Sequence, residues 1–362
     1  MNVAIIHYWL VGMRGGEKVL EALCEIYPDA DIYTHVYAPQ NISAQLNQHK
    51  IQTSFIQKLP KATTWYPYYL PLMPIALESL DLSQYDLIIS SESGPAKGII
   101  PPPTAQHVCY VHSPMRYVWD MFHTYFGKSH WLKRIPITMM MHYLRLWDSN
   151  SALRTDHFIA NSSFVAQRIT KYYRRDSQVI HPPVDIKNFY PIEKPSADYY
   201  LWLGELNHYK NPLEAVVAFN HNGKKLIMVG EGKLQATINE QAKGNISLKS
   251  KVSQQEIVAL FQNCRALIYT GVEDFGIIPV EVMACGRPVI AYQRGGVTDS
   301  VQHGITGILY SQQSPQCLNE AIDEFEKNIT TFDAGRIRKH SESFSKARFI
   351  QQFKQFMSAI SL

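Results

Sequence analysis

No two of the five cysteines (Cys24, Cys109, Cys264, Cys285 and Cys317) are spaced as Cys-x-x-Cys, and their number is odd. Such spacing argues against a disulfide scaffold or a thiolate metal cage and fits reduced thiols in the apolar core of a cytosolic protein. No uninterrupted run of about 18 apolar residues occurs, so no segment reads as a membrane span. The opening MNVAIIHYWLVG has no basic residues ahead of its apolar run, which makes it a first strand rather than a secretion signal. Charge is scarce in one sense only: the formal net value is +4, with no arginine-rich arm and no RNA-binding signature, so nucleic acid is not an expected partner. Nor is there a His-Glu-x-x-His pattern among the histidines, so His7, His35 and His181 read as structural groups rather than metal ligands. What remains is 362 residues with 46% hydrophobic and 18% charged content, an ordinary globular composition long enough for two domains.

The first half alternates apolar runs with polar, glycine-bearing turns. Residues 3–8 form a strand that ends in Gly12-Met13-Arg14-Gly15-Gly16-Glu17, and a helix follows to Tyr27. Strand, glycine turn and helix give a backbone that can approach a phosphate closely. A nicotinamide-binding unit would close its second strand with an acidic residue, whereas the candidate strand 31–37 ends in Tyr37-Ala38-Pro39. Strands are also expected at 85–90 and 107–111. Their exits, Ser91 to Gly98 and His112 to Asp120, leave carboxyl ends of strands, where open α/β sheets place ligands. Residues 58–80 and 125–147 mix lysine, arginine, tryptophan and tyrosine with apolar residues, Lys128, Lys133 and Arg134 standing beside Trp131 and Ile135. Two readings stand for them: elements packed on the domain with a solvated basic edge, or a face for anionic lipid.

The most informative stretch is 271–300, GVEDFGIIPVEVMACGRPVIAYQRGGVTDS. An apolar strand at 265–269 precedes it. Pro279 stands where a first helical turn tolerates a missing N–H, the helix is expected over 280–285, and Gly286 ends it before the next strand at Pro288. Backbone N–H groups at Gly276 and Ile277 favour an anion. Glu273 and Glu281, eight positions apart, are instead acceptors for sugar hydroxyls. Phosphate donors and hydroxyl acceptors converging on one helix start imply a nucleotide sugar.

Glu273-x7-Glu281, with Asp274-Phe275-Gly276-Ile277 between and Arg294-Gly295-Gly296 after, resembles the signature of the retaining glycosyltransferases of family 4. HSPMRYVWD at 112–120 and FIANSSFVAQRI at 158–169 are similar to a bacterial subgroup that builds surface polysaccharides. The resemblance implies the α/β GT-B fold, two Rossmann-like doubly wound domains facing across a cleft. It divides the chain into 1–191 on the acceptor side, 198–340 for the nucleotide sugar, and 341–362 as a helix returning to the first domain, with the proline-bearing 191–197 as linker.

The same resemblance implies the site. Gly15 and Gly16 lie under the donor diphosphate, and His112 faces the donor sugar. Glu273 takes a sugar hydroxyl, Glu281 the ribose hydroxyls, and Phe275, Gly276 and Ile277 bring N–H groups to sugar and phosphate. Lys251 and Val252 mark where main-chain groups hold the base. Arg116, Trp119 and Lys97 are acceptor-side residues. Family members carry an arginine directly after the glycine that is Gly204 here and a lysine five residues later; this chain keeps Lys210 and has Glu205 in place of the arginine. The resemblance implies no obligatory metal and no other cofactor, and the lack of an Asp-x-Asp where a GT-A enzyme would hold its metal agrees. The expected reaction moves a hexose, mannose from GDP-mannose, onto a glycan carried by a polyprenyl diphosphate at the inner membrane face. A UDP-sugar donor is the alternative. A GT-B phosphorylase or epimerase, and a non-catalytic sugar-nucleotide binder to which Glu205 points, are the competing readings.

Overall fold

A computed structural model of the chain describes residues 1–127, 130–193 and 198–360. Lys128 of the basic stretch and residues 194–197 of the expected linker lie outside the described residues. The chain divides into two units, 1–182 together with 349–362, and 183–348.

The first unit is a parallel sheet of seven strands: β1 Val3–His7, β2 Asp31–Thr34, β3 Ile51–Thr53, β4 Leu87–Glu92, β5 Gln106–Val111, β6 His157–Ala160 and β7 Gln178–Val179. Their order is β3-β2-β1-β4-β5-β6-β7. β1 and β4 are buried along their whole length, which is why both read as near-continuous apolar runs. Strand order reverses between β1 and β4, leaving a crevice at their carboxyl ends. The second unit repeats the plan with β8 Tyr200–Leu203, β9 Leu226–Val229, β10 Ile246–Lys249, β11 Leu267–Tyr269, β12 Val289–Tyr292 and β13 Gly307–Tyr310 in the order β10-β9-β8-β11-β12-β13. Its reversal falls between β8 and β11.

Several elements differ from the sequence expectation. Helix Gly15–Ile26 takes Gly15 and Gly16 as its first residues, so they form its opening turn and not a loop before it. Helix Ile277–Ala284 starts three residues ahead of the expected Val280. Gly276, at φ +84°, turns the chain into it. Pro279 is then the third helical residue, still among those whose N–H has no partner within the helix. Gly286, at φ +72°, closes the helix as expected, its N–H bonding to the Met283 carbonyl at 2.8 Å. β2 ends at Thr34, short of Tyr37.

Stretch 58–80 forms two short helices, Ala62–Trp65 and Met73–Glu78, joined by tight turns at Pro67 and Pro71. From 131 onward the other mixed stretch is one long helix, Trp131–Ser151. No helix among the described residues is long and apolar enough to cross a membrane.

Residues 183–191, assigned from sequence to the first domain, belong to the second unit, because Val184, Ile186 and Phe189 are buried in one cluster with Phe261, Met283 and Phe344. At the other end, helix Lys346–Ile360 places Phe349, Phe353 and Met357 on one face, four residues apart. All three are buried in the first unit's core with Ile5, Leu23, Val108 and Tyr110. Phe353 is fully enclosed. Phe353→Ala is therefore expected to cost about 3–5 kcal/mol in urea unfolding of the first unit. A loss below about 1 kcal/mol would mean that this helix contributes little to that core.

Candidate active site

In the first unit the parallel register assembles the site. His7, at the end of β1, is paired with Ser91 on β4, and Glu92 is paired with Val111 on β5. His112 is the next residue, and its N–H donates to the Glu92 carbonyl at 2.7 Å. Its own carbonyl accepts from the Asn161 side chain at 2.9 Å. The His112 ring meets Ser91 Oγ through Nε2 at 2.9 Å and has Tyr110 edge-on at 5.1 Å between centroids. Burial above all pushes its pKa down to about 3, so the imidazole stays neutral at physiological pH. Gly16 lies against the Tyr8 hydroxyl, which occupies the place of any Cβ there. Glycine at 16 thus lets the helix start close on Tyr8 without displacing its ring.

Lys97 is a correction. Expected to face an acceptor, it is fully buried, with its ammonium donating to Glu92 at 2.9 Å, to Asp148, and to the Tyr173 hydroxyl at 3.3 Å. Burial works against the charge, but Asp148 and Glu92 outweigh it and hold the lysine above its ordinary pKa. With all its donors engaged inside the unit, Lys97 has none left for a substrate. Trp119 joins the same network: its indole N–H donates to Asp148 at 2.7 Å and its ring stacks on Tyr172 at 4.6 Å. Arg116 lies on the same loop, half-buried.

The second unit builds its site at the β8–β11 reversal. Gly204 follows β8, and a Cβ there would press on the Lys210 side chain at 2.9 Å; one at Gly271, after β11, would press on the Lys210 Cα at 2.8 Å. Lys210 is thereby threaded between two glycines. Its carbonyl accepts from Thr270 Oγ1 at 2.9 Å, and Thr270 accepts from Trp202 Nε1 at 3.1 Å. The ammonium reaches Glu273 at 2.8 Å. Burial alone would lower the lysine's pKa; Glu273, with Tyr209 and Glu205 behind it, raises it above the ordinary value.

Gly276 and Ile277 open the helix directly after, and Phe275 is buried beneath them against Phe344. Farther along that helix, burial and the nearby Asp185 push the Glu281 carboxyl up to about 7. Lys251 is exposed and Val252 half-buried in the turn after β10, which Ser253 closes as a capped helix start. A surface hollow of about 370 Å³ beside Asp31, Lys50 and Tyr85 lies by the amino ends of the first sheet's strands, away from all these residues.

The profile described as Glycosyltransferase Family 4 matches residues 13–188, and that described as Glycosyl transferases group 1 matches 187–344. The chain belongs to the family 4, group 1 glycosyltransferases. This family 4 member is 26% identical over 247 residues to human alpha-1,3/1,6-mannosyltransferase ALG2, the match covering 57% of this chain and 59% of that protein. It is 27% identical over 187 residues to the D-rhamnosyltransferase WbpZ of Pseudomonas aeruginosa, covering 46% and 49%. The chain thus spans about half the length of the curated relatives it matches. Its fold is that of Anabaena HepE, crystallised with UDP: the TM-score is 0.71 at 18% identity, over 99% of this chain and all of that one. The two doubly wound parallel sheets are the GT-B fold.

Sequence reasoning passed over Glu17, Ser91 and Asp185 and set His7 aside as structural. Glu17, an acid directly after Gly-Gly at a helix start, was the one visible signal among them. Glu205, in the place of the family arginine, is exposed.

Glu281 yields a testable stability effect. Its carboxyl titrates at about 7 in the folded chain and near 4.5 when unfolded. Folded chains therefore hold the proton more tightly, and stability is lost as pH rises from about 4.5 through 7, by on the order of 2–3 kcal/mol. Glu281→Gln is expected to raise the melting temperature at pH 8 and to leave it unchanged at pH 4.5. An equal shift at both pH values would contradict this assignment.

Proposed function

We propose that the chain transfers a hexosyl group from a nucleoside diphosphate sugar to a glycan acceptor, with retention of configuration and without an obligatory metal. The observation that carries this reading is the Lys210–Glu273 pair set directly before the amino end of helix Ile277–Ala284. A departing nucleoside diphosphate gains negative charge, and a lysine held charged beside free helical N–H groups stabilises it in place. Glu273, held by Lys210, serves as a hydroxyl acceptor for the sugar and is not placed as a nucleophile. Front-face attack then leaves the donor phosphate to receive the acceptor's proton. Glu281 accepts the ribose hydroxyls, and those donors favour its ionised form.

GDP-mannose is the favoured donor, supported by the bacterial polysaccharide motifs at 112–120 and by the match to a mannosyltransferase. A UDP-sugar is the second reading, because HepE shares the fold and holds UDP. The acceptor is a polyprenyl-diphosphate-linked glycan. Helix Trp131–Ser151 supports that choice: Trp131, Ile135, Met139 and Tyr143 stand exposed along one stripe, with Leu132 and Leu146 beside it and Lys133 and Arg134 at the flank. Trp65, Tyr68, Leu72 and Ile75 are exposed on the neighbouring 62–78 segment, and the two segments share a core through Leu70, Met73, Met141 and Leu144. An aromatic, apolar face with basic residues suits the interface of an anionic bilayer.

A melting-temperature panel of GDP, UDP, ADP and their sugar conjugates, with and without EDTA, tests the donor, since a ligand of the folded state raises the midpoint with concentration over Kd. A rise with GDP and GDP-mannose that EDTA leaves unchanged is expected. A rise with UDP alone would replace the donor, and no rise with any nucleotide would favour the non-catalytic binder. Lys210→Ala is expected to lower kcat by about 10²–10³. Co-sedimentation with phosphatidylglycerol vesicles tests the helical face: Ile135→Asp with Met139→Asp should abolish binding, and equal binding by the variant would remove the membrane from the proposal.

A further inference from the structure

His112 is the end of a chain of buried polar groups. Glu17, His7 and Ser91 are all but inaccessible to solvent. Glu17 Oε2 accepts from the Arg14 N–H at 2.8 Å, and Glu17 Oε1 lies 3.6 Å from His7 Nε2. On its other side His7 Nδ1 meets Ser91 Oγ at 3.1 Å, and Ser91 Oγ meets His112 Nε2 at 2.9 Å. His112 Nδ1 takes no hydrogen bond from the described residues.

The logic of this chain follows from counting protons. Ser91 has a single hydroxyl proton and stands between two imidazoles, so it donates to one ring and accepts from the other. The two nitrogens facing it must therefore differ, one bare and one carrying hydrogen. Glu17 decides which. Burial opposes its charge, but His7 and the backbone N–H groups of its helix start outweigh this and keep the carboxylate ionised. With a single proton on the His7 ring, an anion beside Nε2 draws that proton to this nitrogen and leaves Nδ1 bare. Ser91 then donates to His7 and accepts from His112 Nε2–H. The far nitrogen of His112 is left as a lone pair.

We propose that Glu17, His7 and Ser91 are positioning residues that fix His112 as its Nε2–H tautomer, so that Nδ1 is presented as a hydrogen-bond acceptor for a sugar hydroxyl. This rests on the reading that His112 faces the sugar. It adds the direction of the bond: the substrate hydroxyl donates, and a derivative with that hydroxyl methylated or replaced by fluorine loses the contact. The same hydroxyl is left with its lone pairs for donors elsewhere.

Long-range proton–nitrogen spectra of the full chain labelled with ¹⁵N-histidine read the tautomer without any substrate, and His112→Asn identifies the signal. The expected wild-type result is Nε2–H at His112; Nδ1–H there overturns the proposal. In Glu17→Gln the amide oxygen keeps the Arg14 N–H, so the amide nitrogen falls on the His7 side and donates to Nε2. The whole chain then reverses, and His112 is expected as Nδ1–H; an unchanged signal in a folded Glu17→Gln variant overturns the relay. Ser91→Ala should uncouple the two rings, so that adding Glu17→Gln no longer moves the His112 signal, and continued response would exclude Ser91 as the link. With donor and acceptor supplied, Glu17→Gln should lower kcat several-fold with little change in KM. If the tautomer reverses while kcat holds, the relay stands and the role given to His112 fails; if the tautomer never responds, the relay fails independently of the reaction.

Discussion

The Lys97 ammonium lies sealed inside the first unit between Glu92 and Asp148, and much of that unit's working end is organised on it. A buried lysine is tolerated only when its charge is matched and its donors are used. Here the partners come from different elements. Glu92 ends β4, Asp148 and Tyr173 come from two helices, and Trp119 reaches Asp148 from the loop after β5. Because the Glu92 backbone also receives the His112 N–H, the ion pair fixes the strand end from which His112 projects. Removing the ammonium would leave two carboxylates facing each other in a low-dielectric interior, a far larger disturbance than the loss of one surface charge.

The second unit uses the same pair of charges to a different end. Lys210 and Glu273 keep side-chain exposures of 14% and 22%, against 0% and 1% for Lys97 and Glu92. That residual access separates a pair in contact with solvent from one sealed in a core. Both pairs sit where strand order reverses, one in each sheet. Glycines admit the chain at the second: Gly204 and Gly271 leave room only because neither has a side chain. Duplicated topology has thus placed one ion pair that is sealed and one that stays partly open to solvent.

Much of this was legible in the sequence. The buried parallel strands announce themselves as unbroken apolar runs such as VAIIH, and the helix after β11 is written in Gly276, Pro279 and Gly286. Local chemistry of that kind needs no tertiary information. Lys97 was misread because its partner Asp148 is 51 residues away, and nothing in the spacing says that the two meet. His7 and Ser91, 84 positions apart, become neighbours only through the register of β1 on β4. The boundary at 182 was hidden for a related reason: Val184, Ile186 and Phe189 look like the end of one domain but are buried against residues far ahead in the chain. Spacing reveals what a segment does to itself, and long-range pairing decides the rest.

The first unit is assembled from two pieces, 1–182 and 349–362, with the whole of the second unit between them. During synthesis, Phe349, Phe353 and Met357 emerge only after all of 183–348, so the nascent first sheet waits with an apolar groove uncovered beside Ile5, Leu23 and Tyr110. At translation rates of about 5–20 residues per second, those 166 residues leave that groove open for roughly 8–33 seconds. The second unit, contiguous in sequence, closes its own core without such a delay. The later-made half of this protein is therefore free to mature before the earlier one.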